Sequence, residues 1–155
     1  MRLDRLWISS HIPHQGAMCL IDEVLAWTEK DICCRTASHR LKSNPLRTAG
    51  RLRSECGIEY AAQAIAIHSV LSGAPLGASP VSGMLVSARG VKLHVDYLDD
   101  IEDDLVVRAT RIAGDVTALL YDFSIDRTSG TLLAGRASIV LRGPTMASSS
   151  TGSHA

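Results

Sequence analysis

One stretch of this chain limits its fold more than any other. Residues Glu55 to Leu71 read ECGIEYAAQAIAIHSVL. Ile58, Ala61, Ala62, Ala64, Ile65, Ala66, Ile67 and Val70 leave almost no polar face. A helix that is apolar all round must be wrapped by other structure, and its small side chains let a sheet approach closely. Ser54 stands as the candidate N-cap, with Glu55 in the first turn where a negative charge suits the helix dipole.

The flanking sequence has a different period. A turn and strand are expected over Ala17–Trp27, paired as a hairpin with Asp31–Ala37. An ordered loop, Asn44 to Arg53, leads into the helix, and a Gly/Pro-rich connection, Ser72–Gly83, leaves it. Beyond it, Val91, Leu93, Val95 and Tyr97 alternate with Lys92, His94 and Asp96, the mark of a half-buried strand. A weaker strand is expected over Leu105–Ile112, then strands around Leu119–Asp126 and Leu133–Leu141. Gly114-Asp115 reads as a two-residue hairpin turn, and Arg127–Gly130 as a longer one.

A hairpin, one buried helix and about four antiparallel strands predict an α+β chain. The sheet is best satisfied by curling around the central helix, which is the hot-dog fold. The competing arrangement is an open α+β sandwich with the helix on one face. The one-helix curved sheet leaves strand edges that a dimer would cover.

The length, 155 residues, fits a single domain, here expected over residues 1–143. Residues 144–155 (PTMASSSTGSHA) have nothing to bury and are expected to form a disordered tail. Sixteen basic and sixteen acidic side chains cancel, so no net field draws the chain to nucleic acid or anionic lipid. No apolar run reaches the ~20 residues of a membrane span, and the opening MRLDR lacks a cleavable leader, so a cytoplasmic protein is expected. Cys19, Cys33, Cys34 and Cys56 show no metal-ligand spacing and read as free thiols of a reducing compartment; no metal is expected.

Glu59 and Gln63 are the polar residues inside the apolar helix, four apart and therefore on one face. A carboxylate there must be hydrogen-bonded, paired, or open to a wet cleft. Burial would raise its pKa toward that of a useful general acid or base. The plainer alternative is a half-exposed Glu59 paired with Arg47, Arg51 or Arg53. Cys56-Gly57, in the first turn, offers backbone N–H groups as an oxyanion site, or a glycine that merely permits close packing. A nucleophilic Cys56 lacks an assignable histidine. His14, in a polar loop before the first strand, is either a site residue or an ordinary loop histidine. Arg47, Arg51 and Arg53 offer a phosphate site or a solvated loop, and the acidic run from Asp96 to Asp104 reads as a solvated edge.

The run IPHQGAMCLIDEVLAW resembles the opening of the 3-hydroxyacyl-ACP dehydratases of fatty-acid synthesis. GIEYAAQAIAIH resembles their Glu-Ala-x-Ala-Gln helix, with Glu59 and Gln63 on the family's Glu and Gln. The combination NPLRTAGRL, GIEYAAQAIA and GMLVSARGVKLHVDYL is closer still to the dehydratase-like proteins of aryl-polyene gene clusters, and the likeness spans Trp7 to Leu141. That resemblance implies a hot-dog dimer, of like chains or with a homologous hot-dog subunit, and an acyl chain carried on the phosphopantetheine of an acyl carrier protein or CoA. No other cofactor is implied. It carries the catalytic Glu over to Glu59 and matches His14 to a family histidine that is not the usual base. His14 recruited to assist, His39, or a residue of a partner subunit would complete the pair, with Cys56, Gly57 and Gln63 expected to contact substrate. The fatty-acid enzymes also carry a His-Phe-Pro motif ahead of the helix. Here the corresponding position is Pro45, and Asn44 to Arg53 contains no histidine. Three functions follow: a 3-hydroxyacyl-thioester dehydratase forming an enoyl thioester, a non-catalytic acyl-binding subunit of a heterodimeric dehydratase, and a hot-dog thioesterase.

Overall fold

The computed structural model describes residues 3–12, 14, 16–73, 83–115 and 117–141. The expected tail, and nearly all of the Ser72–Gly83 connection, lie outside the described residues.

Asp4 ends a two-residue strand, β1 (Leu3–Asp4), and its carboxylate accepts the Trp7 N–H at 3.1 Å, which caps α1 (Arg5–Ser9). So short an element has no periodicity to read. A 3-10 turn at Gly16–Met18 leads to β2 (Glu23–Trp27), paired antiparallel with β3 (Asp31–Thr36), the expected hairpin. The central helix, α2 (Gly57–Ser72), is preceded by a 3-10 turn at Ser54–Cys56 and ends on Gly73, whose φ of 71° is readily adopted by glycine. Ser54 is not the N-cap. It lies inside the 3-10 turn, makes no cap bond, and its buried Oγ has no partner.

Four long strands follow: β4 (Gly83–Leu93), β5 (Leu105–Gly114), β6 (Ala118–Arg127) and β7 (Gly130–Leu141). The alternation at Val91–Tyr97 misplaces β4, which begins at Gly83 and ends at Leu93. Bulges between Leu85 and Ser87, and between Arg89 and Lys92, each break the two-residue phase. Past Leu93 the chain leaves the ladder, and Tyr97 forms only an isolated bridge with Arg53. The β5–β6 reversal begins later than Gly114, which still pairs with Leu119. There the Asp115 carboxylate accepts the Thr117 and Ala118 N–H groups.

The seven strands form one antiparallel sheet in the order β1-β2-β3-β5-β6-β7-β4, and α2 packs on β3, β5, β6 and β4. This is the hot-dog arrangement. Its core lies between helix and sheet: Ile32 and Cys34, Leu105 and Val107, Tyr121 and Ile125, and Leu133 of the strands face Tyr60, Ala61, Ala64, Ile65 and Ile67 of α2. Gly57 sets the approach of the helix. A Cβ there would lie 2.8 Å from Leu133 Cδ2 and 3.3 Å from Ile125 Cγ1. No helix among the described residues is long and apolar enough to cross a membrane.

Candidate active site at the start of the central helix

Glu59 lies in the first turn of α2 with its side chain exposed. The alternative pairing with the nearby arginines does not occur. Arg51 bonds Asp99 and Asp100 at 2.8 Å each, Arg47 lies 3.8 Å from Asp99, and Arg53 lies 3.6 Å from Glu55. Among the described residues no cation is within ion-pair distance of Glu59.

His14 is the histidine that shares this space. Its ring is partly buried, Nδ1 is buried without a partner, and it lies within electrostatic reach of Glu59. Desolvation lowers its pKa, and the Glu59 carboxylate only partly opposes that shift. The result is an imidazole that is neutral near neutral pH beside a carboxylate.

The loop after His14 is held from several sides. Gln63, 1% exposed, accepts the Leu20 N–H on Oε1 at 2.8 Å, and its Nε2 donates to the Met18 carbonyl at 2.6 Å. Arg5 donates to the Gly16 carbonyl at 2.9 Å. The Leu20 carbonyl accepts the hydroxyls of Thr36 and Ser38. Gln63, buried and with both ends of its carboxamide bound to the loop backbone, holds that loop against the helix.

The loop that leads into α2 is anchored equally well. Buried Asn44 donates to the Ser38 carbonyl and to the Tyr60 hydroxyl, both at 2.9 Å, and its Oδ1 accepts the Leu46 N–H. Asp99 accepts the Leu52 N–H at 2.9 Å, and Ser54 N–H donates to the Asp96 carbonyl at 2.9 Å. The Tyr60–Asn44–Ser38 cluster escapes a reading of the sequence, although Asn-Pro at the head of the loop signals a fixed turn.

Cys56 and Gly57 do not offer the free amides expected of them. Cys56 N–H donates to the Arg53 carbonyl at 3.0 Å, and Gly57 N–H donates to the Ser54 carbonyl. The close approach of Leu133 accounts for the glycine. The Cys56 thiol donates to the Leu46 carbonyl at 3.7 Å, and desolvation pushes its pKa up, so it is held as a thiol. His39 is fully buried, with Nε2 on the Ile101 carbonyl at 3.0 Å, and does not join Glu59. His68 is structural as well: Nε2–H donates to the Thr28 carbonyl at 2.9 Å and Nδ1 accepts the Tyr121 hydroxyl at 2.7 Å.

One long helix packed on an antiparallel sheet of this order, with an exposed carboxylate in its first turn and a loop imidazole in electrostatic reach, defines a hot-dog protein. The chain belongs to the ApeP-like family: the sequence profile described as ApeP dehydratase matches residues 6–149. Among solved structures it is similar to the dehydratase heterocomplex ApeI:P from Xenorhabdus doucetiae, at 19% identity and a TM-score of 0.79, covering 94% of this chain and 97% of that one. It is also similar to thioesterase superfamily member 2 of zebra fish (12% identity, TM-score 0.59, 89% and 95% covered). A Streptococcus pneumoniae hypothetical thioesterase with coenzyme A matches at 16% identity and a TM-score of 0.55, covering 78% and 85%. At these identities the structural matches establish the fold. No curated protein sequence matches the chain.

Proposed function

We propose that this chain is a hot-dog dehydratase subunit that removes water from a 3-hydroxyacyl thioester carried on phosphopantetheine, with Glu59 and His14 as its reacting groups. The observation that carries this reading is the partly buried His14 ring, its Nδ1 without a partner, within electrostatic reach of a Glu59 carboxylate that no cation among the described residues pairs. Elimination needs a base at C2 and a proton for the hydroxyl leaving C3. Neutral His14 takes the C2 proton, the electron pair forms the C2–C3 double bond, and Glu59 protonates the departing hydroxyl to water. Glu59 is exposed in the single chain. Cover by the acyl chain and a partner subunit would exclude water from it. The pinned loop from Gly16 to Leu20 supports the same reading, because Gln63 then acts as a positioning residue for the His14 loop.

A second reading has its own support. Asn44–Arg53 carries no histidine and Pro45 stands where the fatty-acid enzymes have one, while the similar solved structure is a heterocomplex. On that reading the chain shapes an acyl tunnel for a homologous, histidine-bearing hot-dog subunit. In both cases the partners are an acyl carrier protein or CoA thioester and a second hot-dog subunit on the open edge of β4, in the cytoplasm.

Incubating the purified chain with a 3-hydroxyacyl carrier protein, beside Glu59→Gln, decides between them by mass spectrometry. Loss of one water by wild type and not by the variant supports catalysis. An intact substrate that loses water only when a partner subunit is added supports the half-site. Release of the acyl group from its carrier identifies a thioesterase and sinks both.

A further inference from the structure

The face of the sheet turned away from α2 carries an open groove of about 700 Å³, within the size range of small-ligand sites. On β6 and β7, Tyr121, Phe123, Ala137 and Ile139 point inward and are buried, so Leu120, Asp122, Arg136 and Ser138 point outward into it. On β4 the bulge between Arg89 and Lys92, with Gly90 at φ 59°, turns both cations to the same outer side. Gly135 permits this, because a Cβ there would lie 2.9 Å from Val91 Cγ2.

The charges in the groove are out of balance. Arg89 and Arg136 are direct cross-strand partners, an arrangement of like charges that is destabilising unless something neutralises it. Lys92 adds a third cation on the next rung, opposite Ala134. Among the described residues Asp122 is the only carboxylate lining the groove, and it is bonded to Arg136 at 2.9 Å. Three cations against one carboxylate leave a local charge of +2 in a chain whose formal net charge is zero. Among the described residues no carboxylate pairs with Arg89 or Lys92. Two rungs from the arginine pair, on the same face, Ser87 and Ser138 are cross-strand partners and supply two hydroxyls.

We propose that this groove is a binding site for a phosphate-bearing ligand, held by Arg89, Lys92 and Arg136 with Ser87 and Ser138 as hydroxyl donors. Guanidinium groups and hydroxyls match the several acceptor oxygens of a phosphate, and charge-assisted bonds to it are the strong ones. The sheet separates the groove from Glu59, so the site stands independently of the reaction proposed there. The shared chemistry is the phosphate; a nucleotide, a phosphopantetheine and free phosphate are its possible sources.

The test is an NMR titration of the whole chain with inorganic phosphate, AMP and 4′-phosphopantetheine, with adenosine and pantetheine as phosphate-free controls. Saturable shifts of the amides at 87–92 and 134–138, weakened by added salt, are expected. R89A/K92A should weaken binding about tenfold or more, while E59Q binds as wild type does. Whichever phosphate compound binds tightest names the source. The proposal is overturned if none of the three binds at millimolar concentration, if the controls bind as well as their phosphorylated forms, or if the shifts map elsewhere. Unchanged affinity in R89A/K92A, or its loss in E59Q, overturns it too. Shift mapping on wild type decides the matter even if the double variant does not fold.

Discussion

Gln63 in the second turn of α2 accepts the Leu20 backbone N–H at 2.8 Å across 43 residues of sequence, while its own amide donates to the Met18 carbonyl at 2.6 Å. The helix and the loop that carries His14 are therefore joined through one side chain. Gln63→Leu keeps the volume but leaves a buried N–H and a carbonyl without partners, at a cost of about 1–3 kcal/mol each. The urea midpoint should fall, and hydrogen exchange at Leu20 should speed up more than exchange in β6. Unchanged protection at Leu20 would show that the loop is held by its other contacts alone.

Gly57 bears on stability through packing. Alanine is the better helix former by about 1 kcal/mol, but its Cβ would meet two methyl groups of the fully buried Leu133 at 2.8 and 2.9 Å. Overpacking of this kind costs about 1–3 kcal/mol. Gly57→Ala is thus expected to be destabilising, and Gly57→Ala/Leu133→Ala should recover part of the loss that the two single changes sum to. A Gly57→Ala protein more stable than wild type would mean that Leu133 moves aside freely.

Asp99 fixes the path of the chain into α2. It accepts the Leu52 N–H at 2.9 Å and the Arg51 guanidinium at 2.8 Å, and Arg51 in turn stacks 3.8 Å from the Tyr97 ring centroid. Burial alone would raise its pKa, but the bonds from Leu52 and Arg51 outweigh it and hold the carboxyl below its usual value. Asp99→Ala leaves the Leu52 N–H unpaired and should cost about 1–3 kcal/mol. Dehydratase activity, where present, should fall with it, since the same loop delivers the first turn that bears Glu59. Arg53→Ala is the control: its ion pair to Glu55 at 3.6 Å is well exposed and should contribute little.

The sequence reveals α2 because seventeen residues of nearly unbroken apolar character have few ways to be satisfied, and that alone implies a sheet around them. It singles out Gln63 as a polar residue on the Glu59 face of that helix, and a buried carboxamide there cannot be left dry. It does not reveal which partner, because Leu20 and Met18 contribute backbone atoms, and backbone atoms leave no pattern. The start of β4 is hidden for a related reason: its bulges at Leu85–Ser87 and Arg89–Lys92 shift the phase twice within eleven residues, so the alternation that remains readable begins at Val91, almost where the strand ends. The expected oxyanion amides at Cys56 and Gly57 are engaged because the helix begins with a 3-10 turn, whose tighter bonds use them first. The same shape of turn cannot be told from an α-helical start by residue type.

Acid sensitivity follows from two buried histidines. Desolvation lowers the pKa of both His39 and His68 below the ordinary imidazole value. In the unfolded chain each takes up a proton near pH 6.5, whereas in the folded chain each stays neutral to a lower pH. Between those two values the unfolded state binds more protons, so stability declines as pH falls below about 6.5 toward the folded pKa values. The carboxylates act in a separate range. Asp104, lowered chiefly by its bond from Arg40, and Asp99 lose their contributions only below about pH 4. Urea midpoints measured from pH 7.5 to pH 5 should therefore slope downward, in the window belonging to the histidines. His68→Gln should lower the midpoint at pH 7.5, because it breaks the bond to Tyr121, yet flatten the slope below pH 6.5 by removing one titrating site. A midpoint independent of pH across that window would mean that His39 and His68 keep ordinary pKa values in the folded chain, and that their burial is relieved by water or movement.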